Sequence, residues 1–237
     1  MKKQEKKTTE QEASAVTFLL PCYDTPLLTS DFLYGANQLG CFVDTPFVLL
    51  LELRDPRLNV YKEMVNNLIK KGMNVGYLIF DGTPYCGKIN RVAHILNTKA
   101  ICVLDNTHLP MPMCDKPEPK VTEEIALWQQ SILEPMTIGV FDEMGNYPVI
   151  SKKLIERLGY MFHPLSYGRE SAENWLCSLG NELGLISRIP DFQIMASKTK
   201  EIEIAGQSLA EDKRWVEGIL GQIFDEEKER INRYMVR

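Results

Sequence analysis

Short, nearly unbroken apolar runs alternate along the chain with stretches whose apolar positions recur every three or four residues. VTFLLP (16–21), FVLLLEL (47–53), NVGYLIF (74–80) and AICVL (100–104) are runs of the first kind. They are too short for buried helices and read as strands covered on both faces. Residues 27–39 suit a helix. Val60, Met64, Val65, Leu68 and Ile69 share one helical face, Lys70 and Lys71 suit its end, and Gly72 fits just beyond. Residues 89–96 form a third helix, after a flexible GTPYCG loop (82–87). Strands alternating with helices predict a parallel sheet covered on both faces, so the first hundred residues read as a Rossmann-type half.

The second half is less regular. Residues 113–120 read as a loop, 122–133 as a helix, 136–141 as a strand and 142–146 as a turn. Ser151 caps a helix that Gly159 stops, and a helix from Ser171 to Leu183 stops at Gly184. After Pro190 the chain turns polar. It closes on a long charged helix, about 209–236, with Trp215, Ile219, Ile223 and Ile231 on one stripe. Residues 1–14 carry Lys, Glu, Gln and Thr with no apolar stripe and read as a disordered arm.

Composition narrows the function classes. At 237 residues and 44% hydrophobic, the chain is long enough for a proper core. A net charge of −5 gives no overall basic field, so nucleic acid is not an expected partner. No apolar run is long enough to span a bilayer. None of the six cysteines forms a C-x-x-C pair, which speaks against a zinc ribbon or a thioredoxin site. With no signal peptide recognised, the expectation is reduced thiols and a cytoplasmic protein.

The chemistry concentrates at AICVLDNTHLPMP (100–112). An apolar strand delivers Asp105 at its carboxyl end, where α/β enzymes place their ligands. Asn106, Thr107 and His108 follow, and Pro110 and Pro112 turn the chain away. Glu52 lies inside another apolar run, and a buried carboxylate needs a partner or a site to face. Lys88 and Arg91 flank Asn90 near a helix start, where anions are favoured. GTPYCGK is not a Walker A loop, because its second glycine comes too early and no Ser or Thr follows the lysine.

Five segments, in order, resemble the family 2-like glycosyltransferases of the GT-A fold. FLLPCYDTP is similar to that family's first strand and its P-x-Y-N. FVLLLELRD stands where a strand ends in acidic residues. KINRVAHILNTKAICVLDNTH carries Asn90 fifteen residues before Asp105, the family's spacing to its D-x-D. NYPVISKKLIERLGYMFHP resembles the acceptor-side segment, and ESAENWLCSLGNELG the E-D-W helix with the catalytic base. The sequence departs from the family twice. Thr107 stands for the second D-x-D carboxylate, and Asn174 for the aspartate of E-D-W.

The resemblance implies an α/β GT-A fold: a Rossmann-like, mostly parallel mixed sheet flanked by helices, with a C-terminal helical extension. Residues 15–112 would form the nucleotide-sugar half, 113–198 the acceptor half and 199–237 the extension. The implied activity is transfer of a sugar from a UDP- or GDP-sugar to a hydroxyl of a glycan or other acceptor, with inversion. Pro21, Tyr23, Asp24, Glu52, Asp55, Lys88, Asn90, Arg91, Asp105 and Asn106 would hold the donor. Asp105 and His108 would hold Mn²⁺ or Mg²⁺. Glu173 is the candidate base, with Glu170 and Asn174 as competitors. A sugar-1-phosphate nucleotidyltransferase would want a Gly-rich loop after the first strand, and CYDTPLLTSDF has none. The departures at 107 and 174 leave a degenerate GT-A-like binding or assembly module as the alternative. The mixed charge of the last helix favours a homodimer or self-packing over a membrane surface.

Overall fold

The computed structural model describes residues 13–38, 40, 42, 44–112, 120–131, 136–141, 146–166, 168–189, 192–196, 225, 228 and 229. The expected arm, the loop after Pro112, the turn at 142–145 and nearly all of the C-terminal helix lie outside them. Of that helix, Lys228 is described, and its Nζ lies 2.6 Å from Glu182 Oε2.

Four strands, β1 (Ser14–Pro21), β2 (Phe47–Glu52), β3 (Val75–Phe80) and β4 (Thr98–Val103), are joined by α1 (Pro26–Gln38), α2 (Leu58–Lys70) and α3 (Tyr85–Ile95). Next come β5 (His108–Pro112), α4 (Val121–Ser131), β6 (Ile138–Val140), β7 (Val149–Ser151), α5 (Lys152–Leu158), α6 (Arg169–Glu182), β8 (Ile186–Arg188) and β9 (Phe192–Ala196). The main sheet has seven strands in the order β3-β2-β1-β4-β7-β6-β8. β1 to β4 are parallel. β7 turns the sheet antiparallel against β4 and β6.

Alternation along β1 shows why the sheet is covered twice. Phe18 and Leu20 point into one apolar layer and Leu19 into the other. The first layer packs on α1, α2 and α4 through residues such as Phe32, Tyr61, Val65 and Trp128. The second packs on α3, α5 and α6 through Ile89, Val92, Leu154, Trp175 and Leu176. Two glycines close helices as the sequence expects. Gly72 (φ +85°) ends α2 and Gly159 (φ +80°) ends α5, in the left-handed region that costs glycine least.

Several expectations need correction. Pro110 and Pro112 do not begin a loop. They lie in β5, which pairs antiparallel with β9 in a separate two-stranded ribbon. A two-stranded ribbon leaves each strand one open edge, where a residue without an N–H is tolerated. The flexible loop at 82–87 is shorter than expected, because Tyr85, Cys86 and Gly87 already belong to α3. β7, β8 and β9 were not foreseen. Their pairing is set by neighbours distant in sequence. Among the described residues, no helix is long and apolar enough to cross a membrane.

Candidate active site

β1 sits between β2 and β4, so the chain winds outward from β1 in both directions. The gap beyond the ends of β1 and β4 is therefore the topological switch point of the parallel sheet. Asp105 stands there, two residues past the end of β4.

Five donors converge on its carboxylate. Thr107 N (2.8 Å) and Thr107 Oγ1 (2.7 Å) donate to Oδ1. Tyr147 Oη and Arg169 Nη1 donate to Oδ2, each at 2.5 Å. His108 Nδ1 lies 3.1 and 3.2 Å from the two oxygens. Thr107 Oγ1 spends its proton on Asp105, so it accepts from His108 Nδ1 at 2.8 Å, which fits an imidazole protonated on Nδ1. Burial alone would raise the Asp105 carboxyl. The bonds from Tyr147, Thr107 and Arg169, with the Arg169 charge, overcome that and hold it well below the usual carboxylate range.

Tyr147 takes φ +52°, a left-handed conformation that costs a bulky residue about 1–3 kcal/mol. Its hydroxyl also accepts from Arg169 Nη1 at 3.1 Å. Its ring lies 4.7 Å from the guanidinium carbon and 5.4 Å from the His108 ring. The strained residue thus braces the arginine on two sides, through its hydroxyl and its π face.

α6 begins at Arg169 and places Glu173 one turn later on the same face. Arg169 Nε and Glu173 Oε1 are 3.8 Å apart. The Glu173 side chain is only 7% exposed, and Oε1 has no hydrogen bond among the described residues. Burial pushes its carboxyl up to about 7, Arg169 pulling it down and Asp105 pushing it up. Tyr85, stacked on Phe162, borders the same group, and burial raises its phenol well above the ordinary value. The competing candidates Glu170 and Asn174 are exposed, on a different face of α6 from Arg169 and Glu173.

The other candidates fall into two sets. Tyr23 (60% exposed) and Asp24 follow Pro21 at the end of β1, beside Glu52 and Asp55 from the end of β2. Asp55 is buried and accepts from Asp24 N (2.9 Å) and Arg57 N (2.7 Å), so it shapes the two strand exits. Lys88 does not hang free toward the switch point. Its Nζ is ion-paired with Glu52 Oε1, which answers what Glu52 partners. Asn106 donates to Thr25 Oγ1 (3.0 Å) and Thr29 Oγ1 (3.3 Å), tying the end of β4 to the start of α1. Arg91 is exposed on α3.

Asn90 is a clip. Its Oδ1 accepts from Met161 N and Phe162 N, each at 2.9 Å, and its Nδ2 donates to Phe162 O at 2.8 Å. Asn90→Ala would leave three backbone groups unpaired. It is expected to cost about 3 kcal/mol of stability, measured by urea unfolding.

No family model matches the sequence, and no curated protein does. Solved structures match its architecture. S. aureus TarS 1–349 in complex with UDP-GlcNAc aligns over 79% of this chain and 59% of its own, with a TM-score of 0.55 at 9% identity. The mannosyltransferase PcManGT from Pyrobaculum calidifontis, in complex with GDP-Man and Mn²⁺, aligns over 76% of this chain and 55% of its own, with a TM-score of 0.50 at 10% identity. The fold is GT-A. This GT-A chain spans a little over half the length of those structures, and at such identity the likeness is one of fold.

The described residues at the GT-A switch point do not make a divalent-cation site. Hard cations want several open oxygen ligands. Here the Asp105 carboxylate is already taken up by five donors, one of them a cation. Asp105 and His108 do meet, but through a hydrogen bond rather than as a pair of open ligands. Among the described residues no three His, Cys, Asp or Glu side chains gather as a metal would require.

Three residues of the cluster escaped the sequence reading: Tyr85, Tyr147 and Arg169. Arg169 stands immediately before the E-D-W-like segment, and its helical spacing of four to Glu173 was an available signal. Nothing local marks Tyr147. Its role comes from β7, which brings the preceding segment beside β4, where Cys102 donates to Tyr147 O at 3.3 Å.

Proposed function

We propose that the chain is a nucleotide-sugar-dependent glycosyltransferase that moves a sugar, with inversion, to a hydroxyl of a glycan or other acceptor. The observation that carries this reading is the meeting of Asp105 and Glu173, through Arg169, at the switch point of a GT-A sheet. Titratable groups with opposed shifts in one place are what an acid–base site needs. Tyr23 and Asp24, with Glu52 and Asp55, would face the nucleoside, and residues 113–198 would supply the acceptor side.

In the transfer, the acceptor oxygen bonds to the anomeric carbon as the carbon–oxygen bond to the diphosphate breaks. The bonding pair leaves with the diphosphate, and the acceptor proton passes to Glu173. A base with a pKa near the working pH suits that transfer. Among the described residues of the cluster, Glu173 is the carboxylate with an oxygen lacking a hydrogen bond, and one base with one displacement gives inversion.

The reading is tested by incubating the protein with UDP- and GDP-sugars, with and without oligosaccharide acceptors, and measuring the nucleoside diphosphate released. Release that rises with acceptor is expected. No release, together with no nucleotide binding, would leave the degenerate binding or assembly module that Thr107 and Asn174 suggest.

A further inference from the structure

A departing diphosphate must meet positive charge. The PcManGT structure is a complex with both GDP-Man and Mn²⁺. In this chain the carboxylate beyond the end of β4 holds a guanidinium. We propose that Arg169, oriented by Asp105 and Tyr147, holds the donor diphosphate in place of a divalent cation, so that nucleotide binding needs no metal. The inference rests on the glycosyltransferase reading of the site.

Charge balance supports it. Two carboxylates and a dication sum to zero. With the second carboxylate replaced by Thr107, one carboxylate and one guanidinium sum to zero as well. The Thr107 hydroxyl is not idle, since it donates to Oδ1 and fixes the carboxylate as an acceptor toward the arginine. A dication seated on Oδ2 would press against Arg169 Nη1, 2.5 Å from that oxygen.

Geometry supports it too. An arginine has five N–H donors in a planar fork that matches phosphate oxygens. Nη1 is committed to Asp105 and Tyr147, while Nη2 has no hydrogen bond among the described residues. The side chain is 34% exposed, so part of the fork faces solvent. The guanidinium plane is held by the strained Tyr147 beneath it. Arg169 is also the first residue of a 14-residue helix, whose N-terminal end favours an anion. Of the two cations that the sequence offers near the start of α3, Lys88 is spent on Glu52 and Arg91 is exposed. Asp105 is therefore a positioning residue for Arg169.

The test is calorimetric titration with UDP and GDP, each in EDTA and in Mn²⁺, of the wild type, Arg169→Gln and Arg169→Lys. One nucleotide should bind the wild type with constants that agree within about twofold in the two buffers. Arg169→Gln should weaken binding roughly tenfold or more in both, and Arg169→Lys should restore part of it, since it keeps the charge but not the fork. Circular dichroism checks that the variants fold, and the wild-type comparison needs no variant. Wild-type binding that falls about tenfold or more in EDTA would show that a metal holds the donor, so the glycosyltransferase reading would stand and this inference fall. Arg169→Gln binding as tightly as wild type would also overturn it. No binding of either nucleotide in either buffer would overturn the donor site itself, and this inference with it.

Discussion

Glu173→Gln is expected to cut turnover by about 10²- to 10⁴-fold while making the folded protein more stable at alkaline pH. The two effects share one cause. Glu173 is buried on the inner face of α6 with an unsatisfied oxygen, and its carboxyl is raised from 4.5 to about 7. The folded state therefore binds this proton more tightly than the unfolded state does. Below pH 4.5 the group is neutral in both states and costs nothing. As pH rises from 4.5 to about 7, the unfolded chain ionises first and stability falls. Above about 7 the folded protein carries a charge that is costly to bury, worth about 3 kcal/mol at roughly 1.4 kcal/mol per pKa unit. Glutamine keeps the shape without the charge. Urea unfolding at pH 8 should show the variant more stable by about that amount, and at pH 4 the two proteins should coincide. In wild type, kcat/KM should fall on the acid side as Glu173 takes up its proton near pH 7. Equal stability of variant and wild type at pH 8 would mean that the carboxylate is well solvated and not the poised base described here. Such an exchange of stability for activity is common where a site stores an unfavourable charge.

Asp105→Ala is expected to weaken nucleotide binding by at least about tenfold while the sheet survives. Asp105 is not a core group, since its side chain is 29% exposed and it lies beyond the last residue of β4. Its loss frees Tyr147 Oη and Arg169 Nη1 together. The freed guanidinium then has Glu173 within 3.8 Å and turns to it. Removing one member of a hydrogen-bonded charge pair costs binding about 2–5 kcal/mol where the pair is desolvated, and the lower end suits this half-exposed one. A double-mutant cycle separates this role from a merely structural one. If Asp105 works by orienting Arg169, the Asp105→Ala, Arg169→Gln double change should bind no worse than the Arg169→Gln single change. Additive losses would mean that Asp105 touches the nucleotide independently.

The legible parts of this protein were those with a local signal. The four parallel strands announced themselves as apolar runs, and α2 as a face repeating every three to four residues. Asp105 stood out because a carboxylate closing an apolar run is rarely there by accident. Lys88 and Glu52 each looked available for a ligand when read alone, and only their approach across 36 residues of sequence showed that they satisfy each other. Asn90 is marked in the sequence by its spacing to Asp105. Its three hydrogen bonds to residues 161 and 162 could not be read from any window. β5 was hidden because two prolines argue against a strand, and their argument weakens only at an open edge.

The sequence by itself determined the alternation of strand and helix, the doubly covered sheet and the strand end that carries Asp105. Those follow from side-chain periodicity, which is a property of neighbours in the chain. The tertiary structure alone decided what Asp105 does. Tyr147 and Arg169 reach it from 42 and 64 residues away, and Glu173 follows on the same helix face. No local rule encodes that convergence, because burial and charge pairing at a site depend on which distant elements pack there. They turn a family-like acidic strand end into a carboxylate that holds an arginine.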